Sequence, residues 1–163
     1  MTTEPSSPVC YGADADDVYM GYAGLDEILT SLGELLEAER AGAKVALAST
    51  RLDAAATYLS LMRRVHSDEA KWCAMLSAQI RRLGGVPSRK TGAFREKALA
   101  ITDPAKRLAF LNRGQGWVVR KLEALLPRIR EEGLHRDLRE MLDSHRANIA
   151  QAEAELDSSV RDA

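Results

Sequence analysis

Val65-His66-Ser67-Asp68-Glu69-Ala70-Lys71-Trp72-Cys73 sits near the centre of a helical pattern spanning residues 59–83. At helical spacing Leu59, Met62, Val65, Trp72, Leu76, Ile80 and Leu83 share one apolar face. The middle of that face is occupied by Glu69, with His66 one turn earlier. An ionised carboxylate in the apolar seam of a helix bundle is costly unless a proton, a cation or a metal compensates it. The pattern therefore predicts both a core helix and a candidate site within the core.

Working outward, three more apolar stripes appear, each with a polar residue near its middle. Residues 25–53 carry Leu25, Ile28, Leu29, Leu32, Leu35 and Leu36, then Glu39 where a leucine is expected, then Ala43, Ala46 and Leu47. The small run Ala41-Gly42-Ala43 permits close helix approach at that level. No Gly or Pro marks the turn after Asp53, so a turn near residue 55 follows only from the need to fold a long pattern in half. Gly84-Gly85, followed by Pro87, is a strong stop for the second helix. Residues 84–103 then form a connector with room for only a short helix, at residues 94–101. Thr102-Asp103-Pro104 opens a third helix with an Asp cap and Pro in the first turn. Its stripe is Leu108, Leu111, Gln115, Val118, Leu122, Leu125 and Ile129, and Pro127 should kink it or end it before about residue 130. After the break at Glu131-Glu132-Gly133, a fourth helix over residues 134–156 carries Leu134, Leu138, Met141, Leu142, His145, Ile149, Ala152 and Leu156.

The expected fold is all-α: two antiparallel helical hairpins joined by a long crossover connector, making a four-helix bundle. Residues 23–157 form the bundle, residues 1–22 a flexible acidic arm, and residues 158–163 a frayed tail. Within the arm, Tyr11, Tyr19, Tyr22 and Met20 are expected to pin it to the bundle surface.

Composition agrees with this class and excludes others. The chain has 163 residues, 45% hydrophobic, 29% charged and only 5% aromatic, enough for one domain with a real core. No apolar run approaches the roughly 20 residues of a membrane span. The first residues lack the basic and apolar segments of a signal peptide. Cys10 and Cys73 do not make a disulfide framework, so a reducing cytoplasm is expected. The net charge of −1 hides an asymmetry. Residues 1–40 hold nine acids against Arg40, while residues 81–130 hold thirteen bases against Glu96, Asp103 and Glu123. Oppositely charged helices lying side by side explain this more simply than a basic surface for an acidic partner.

Depth along the bundle tests whether the polar positions meet. From a turn at residue 55, Glu39 lies sixteen residues back and Glu69 fourteen forward, within about one turn of each other. From a turn at residue 132, His145 lies thirteen forward, Glu123 nine back and Gln115 seventeen back. Each of those third-helix candidates misses His145 by about four residues, or roughly 6 Å. Glu39, Glu69 and His145, with His66 and Glu123 as further members, are the candidate metal ligands. Carboxylate plus imidazole suits Fe, Mn or Zn. The competing reading is a buried ion-paired cluster that sets helix register, for instance Glu69 with a protonated His145.

This layout resembles the ferritin-like fold, whose di-metal carboxylate members place a Glu on the first and third helices and Glu-x-x-His on the second and fourth. By that resemblance Glu39, in Leu35-Leu36-Glu37-Ala38-Glu39-Arg40, and Glu69 match, but Trp72 stands in the histidine slot after Glu69. His145 matches the fourth helix, with Leu142 in the glutamate slot. Gln115 or Glu123 comes nearest on the third, and His66 is placed to replace the missing histidine. The chain is similar to a bacterial ferritin-like family of unassigned function over residues 18–156. The resemblance implies a degenerate, mononuclear centre, since a di-iron centre takes about six side chains.

The remaining motifs favour plain structural roles. Cys73 reads as a small core residue rather than a reactive thiol. Trp117 beside Arg113, Arg120 and Lys121 reads as a packing tryptophan rather than a nucleic-acid face. Gly84-Gly85 follows a helix, so it is a cap and not a phosphate loop. The expected function is a ferritin-like protein with a core metal site. The alternative is a non-enzymatic structural or interaction module, engaging a partner or forming a homodimer. No membrane or nucleic-acid partner is expected, and the substrate is left open.

Overall fold

The computed structural model describes residues 16–161. They form five α-helices: α1 Leu25–Ser49, α2 Ala56–Arg82, α3 Phe94–Leu99, α4 Pro104–Leu125 and α5 Glu132–Arg161. There is no strand among the described residues. The long helices α1 and α2 pair as one hairpin and α4 and α5 as another, with α3 inside the crossover. Around the bundle the neighbours run α1, α2, α5, α4 and back to α1. Consequently α1 and α5 face each other across one diagonal, and α2 and α4 across the other.

Local chemistry sets the ends. The first helix stops at Ser49, about four residues earlier than expected, where hydroxyls compete for backbone carbonyls. Ser49 Oγ donates to Val45 O at 2.7 Å and Thr50 Oγ1 to Leu47 O at 2.6 Å. Gly84, at φ +84°, ends α2, and Gly85 N donates back to Ile80 O at 2.9 Å. Asp103 caps α4 by accepting from Lys106 N at 2.8 Å. Pro127 does end the regular helix early: α4 stops at Leu125, and Leu126–Arg128 form a single 3-10 turn. Glu131 accepts from Gly133 N (2.8 Å) and Leu134 N (2.7 Å) at the start of α5, and those donors hold its carboxyl below the usual range. At the other end α5 continues to Arg161, five residues past the expected 156. No Gly or Pro follows Gly133 within it, and Ser158 and Ser159 hydroxyls donate to Ala154 O and Leu156 O.

The acidic and basic segments face each other. Glu34 pairs with Lys121, Glu27 with Arg128 and Asp17 with Arg130. These pairs are partly exposed and individually contribute little; the first joins α1 to α4, the second α1 to the 3-10 turn after α4, and the third the segment before α1 to the α4–α5 turn. Ala23 N donates to Arg128 O at 2.9 Å, and Arg130 lies over the Tyr22 ring at 6.0 Å, so residues 17–23 follow the turn between α4 and α5. Tyr19 is exposed, and Tyr11 lies outside the described residues.

The core divides into two apolar clusters. One contains Leu32, Leu35, Leu36, Trp72, Leu76, Leu122, Leu138 and Met141. The other contains Val45, Tyr58, Leu61, Met62, Val65, Leu108 and Leu111. The polar layer of Glu39, Glu69, Gln115 and His145 falls between them along each helix.

Candidate functional site

The two hairpins place their polar residues equivalently. Glu39 lies ten residues before the end of α1, and Gln115 ten before the end of α4. Glu69 lies thirteen residues after the start of α2, and His145 thirteen after the start of α5. One diagonal thus carries Glu39 and His145, the other Glu69 and Gln115. All four side chains are buried.

Across the first diagonal His145 Nε2 stands 3.0 Å from Glu39 Oε1. The two groups are within ion-pairing distance. At the other edge of the ring, Nδ1 is 3.0 Å from Met141 O, which requires the proton there and leaves Nε2 with the lone pair in the neutral ring. Burial disfavours the protonated ring, but the Glu39 carboxylate and the Met141 carbonyl outweigh it, and the His145 pKa lies above its ordinary value.

Glu69 is placed by an absence on the facing helix. A Cβ at Gly42 would lie 2.6 Å from Glu69 Cδ, so only glycine lets α1 approach this carboxyl group so closely. Burial above all, then the neighbouring Glu39 and Asp68 carboxylates, raise the Glu69 pKa well above the carboxylate range. Burial likewise pushes the Cys73 thiol up to about 12, with Glu39 and Glu69 adding to the effect, so this cysteine is chemically quiet.

Among the described residues, the buried side-chain atoms without a hydrogen-bond partner include Glu39 Oε2, Glu69 Oε2, Gln115 Oε1 and His145 Nε2. All four side chains line one cavity of about 430 Å³. Its inner end is this polar layer, and its walls are Leu111, Val118, Phe94 and Phe110. Its mouth is roofed by connector residues 91–94 and flanked by Trp117 and Arg113. The roof is tied to the same turn of α1 that inserts Glu39: Ser88 Oγ donates to Glu37 Oε1 at 2.6 Å, and Arg40 donates to Ser88 O. A Cβ at Gly114 would lie 2.7 Å from Phe94 Cζ, so α4 also needs a glycine to seat the roof.

The other expected ligands fall elsewhere. His66 is half-buried and turns Nδ1 to Ala43 O at 3.0 Å, bridging α2 to α1 outside the cavity lining. Glu123 is a correction: it is exposed and pairs with Arg146 at 2.7 Å. It lies only two residues from the end of α4, near one pole of the bundle, whereas Gln115 reaches the polar layer. The depth count ranked the two equally because it centred the second turn at residue 132, which is the first residue of α5. Two buried polar residues had no clear signal. Asn148 donates to Asp68 Oδ2 at 3.2 Å, and Arg107 Nε donates to Ile101 O at 2.8 Å. Among the described residues, no three His, Cys, Asp or Glu side chains are grouped so as to hold a metal ion.

A family profile described as "Domain of unknown function (DUF6306)" matches residues 26–155. No curated protein matches significantly. Among solved structures, a dodecameric thioferritin, the bacterioferritin-related protein from Bacteroides fragilis, superposes with a TM-score of 0.71 at 12% identity. The superposition covers 87% of this chain and 91% of that one, which shows that the fold is ferritin-like.

Proposed function

The chain belongs to the DUF6306 family, and on that footing we propose that its ferritin-like core binds one divalent metal ion through Glu39, Glu69 and His145. The observation that carries this reading is a set of three unpartnered oxygens, Glu39 Oε2, Glu69 Oε2 and Gln115 Oε1, beside His145 Nε2 at the inner end of one cavity, one group from each long helix. Each orphaned acceptor costs about 1–3 kcal/mol if left so. A cation drawn into this layer would give these oxygens the partner they lack.

The donor set suits one Fe, Mn or Zn ion, with Gln115 as a weaker oxygen donor. It does not suit two. About six side chains would be needed, and the positions three residues from Glu69 and His145 in the family pattern are Trp72 and Leu142. His145 is prepared for the role because Nδ1–H is held by Met141 O, which orients Nε2 inward. To take up an ion, Glu39 and His145 must part, Nε2 must be free of a proton, and Glu69 must lose the proton that burial favours. A bound ion would supply Lewis-acid or redox chemistry at the cavity's inner end.

Elemental analysis of tag-free protein by plasma mass spectrometry tests this directly. We expect about one equivalent of Fe, Mn or Zn, absent from both Glu69→Ala and His145→Ala. Chelator-treated protein that takes up none of Fe(II), Mn(II) or Zn(II) would sink the proposal. The direct Glu39–His145 contact and the absence of a ready three-donor group favour a second reading, in which the layer only fixes helix register. On that reading His145→Ala destabilises the fold with no metal involved.

The fold neighbour's dodecameric assembly and the exposed Leu25, Leu47 and Trp117 support self-association, with a homodimer as the smallest closed form. Sedimentation velocity at several concentrations decides it; a strict monomer would remove this part of the proposal. No described helix is long and apolar enough to cross a membrane. We place the protein in a reducing cytoplasm, where the free Cys73 thiol persists.

A further inference from the structure

The cavity is far larger than one ion requires. Its volume of about 430 Å³ falls within the range of small-molecule pockets. Its lining changes character with depth. Outside the polar layer the walls are apolar and aromatic: Phe94 and Phe110 stack with ring centroids 4.9 Å apart and planes 22° from parallel, and Trp117 completes the mouth. At the inner end the side-chain oxygens without a hydrogen-bond partner are Glu39 Oε2, Glu69 Oε2 and Gln115 Oε1. Such a space discriminates by chemistry. A flat apolar body gains contact with the aromatic walls, while a hydrogen-bond donor at its inner tip meets acceptors that otherwise lack one. An anionic tip would meet the Glu39 and Glu69 carboxyl groups, while the basic side chain at that depth, His145, already faces Glu39.

We propose that this cavity binds a small single-ring aromatic molecule carrying one O–H or N–H donor, ring against Phe94 and Phe110 and donor toward Glu39, Glu69 and Gln115. The proposal rests on reading these residues as one acceptor cluster, but it does not require the metal. Residues 91–94, anchored through Ser88 to Glu37 and Arg40 on α1, roof the entrance that the ligand passes. Small side chains keep the space open, notably Ala38 on α1.

Phenol, toluene and benzoate serve as probes on chelator-treated, full-length protein, followed by calorimetry and by the fluorescence of Trp117 in a Trp72→Phe variant. Phenol should bind, with toluene weaker by roughly three- to tenfold for the lost hydrogen bond and benzoate weaker still. Ala38→Leu, which fills the space, should weaken phenol by roughly tenfold or more while circular dichroism shows an intact bundle. Should Ala38→Leu fail to fold, the order of the three probes on the wild-type chain still decides. Phenol that does not bind, or benzoate that binds as well as phenol, overturns the assignment. Metal uptake without phenol binding would refute this inference alone, and phenol binding without metal uptake would refute only the metal reading.

Discussion

Glu69 occupies the core because α1 presents no side chain at Gly42, and this makes Gly42→Ala an informative single change. Alanine in a helix interior is favoured over glycine by about 1 kcal/mol. Against that, the new methyl group must displace a buried carboxyl group, and overpacking of this kind costs about 1–3 kcal/mol. We expect a net loss of stability in urea melts, largely relieved in Gly42→Ala/Glu69→Ala, which removes the group that clashes. Equal effects in the single and double variants would show that the two positions are uncoupled. Cys73 offers a second test at this scale. With its pKa near 12, roughly one thiol in ten thousand is ionised at pH 8. In a Cys10→Ser background, iodoacetamide should therefore label the native protein far more slowly than the urea-unfolded chain. Comparable rates would mean that the thiol is neither buried nor suppressed. Glu39, Glu69 and His145 were legible in the sequence because each interrupts an otherwise apolar stripe. Asn148 was not, because it sits one position off the expected stripe residue Ile149 and its partner Asp68 belongs to another helix.

Among the elements, the connector depends most on one buried side chain. Arg107, in the first turns of α4, donates from Nε to Ile101 O at 2.8 Å and from Nη2 to Leu99 O at 3.3 Å, joining α3 to α4. It thereby satisfies carbonyls at the end of a six-residue helix. Arg107→Ala should cost about 1–3 kcal/mol in urea melts. Amide exchange should accelerate over residues 94–101 more than in α1 or α2. Uniform acceleration throughout would mean that Arg107 supports the whole bundle rather than the connector. The helices themselves were largely legible, since stripe period, Gly84, Asp103 and Pro127 are local signals. The break between α1 and α2 was less so. It rests on Ser49 and Thr50 hydroxyls that turn back onto their own helix, a choice that sequence spacing alone does not reveal.

For the whole molecule, pH distinguishes the proposed metal chemistry from simple register-setting. Glu69 has a folded pKa well above the ordinary 4.5, and His145 has one above the ordinary 6.5. A raised folded pKa means that the native state binds the proton more tightly than the unfolded chain does. The resulting stabilisation is fully present below the unfolded value and is lost as pH rises through the folded one. Metal-free protein should therefore lose stability as pH rises above the ordinary carboxylate and imidazole values and through the raised folded ones, and Glu69→Gln, which cannot ionise, should lose less over the same rise. Metal binding runs the opposite way, because an ion competes with these same protons and gains affinity as they leave. With Zn(II) present, the wild-type melting temperature should thus fall less across the alkaline limb than in its absence, while Glu69→Gln should show little Zn(II) dependence. The twofold relation between the hairpins explains why one layer carries both effects: equal offsets bring Glu39, Glu69, Gln115 and His145 to one depth, where any charge is shared by all four helices. Identical pH profiles with and without Zn(II) would leave the layer as a proton-linked structural cluster. Divergent profiles that converge in Glu69→Gln would assign the metal to it.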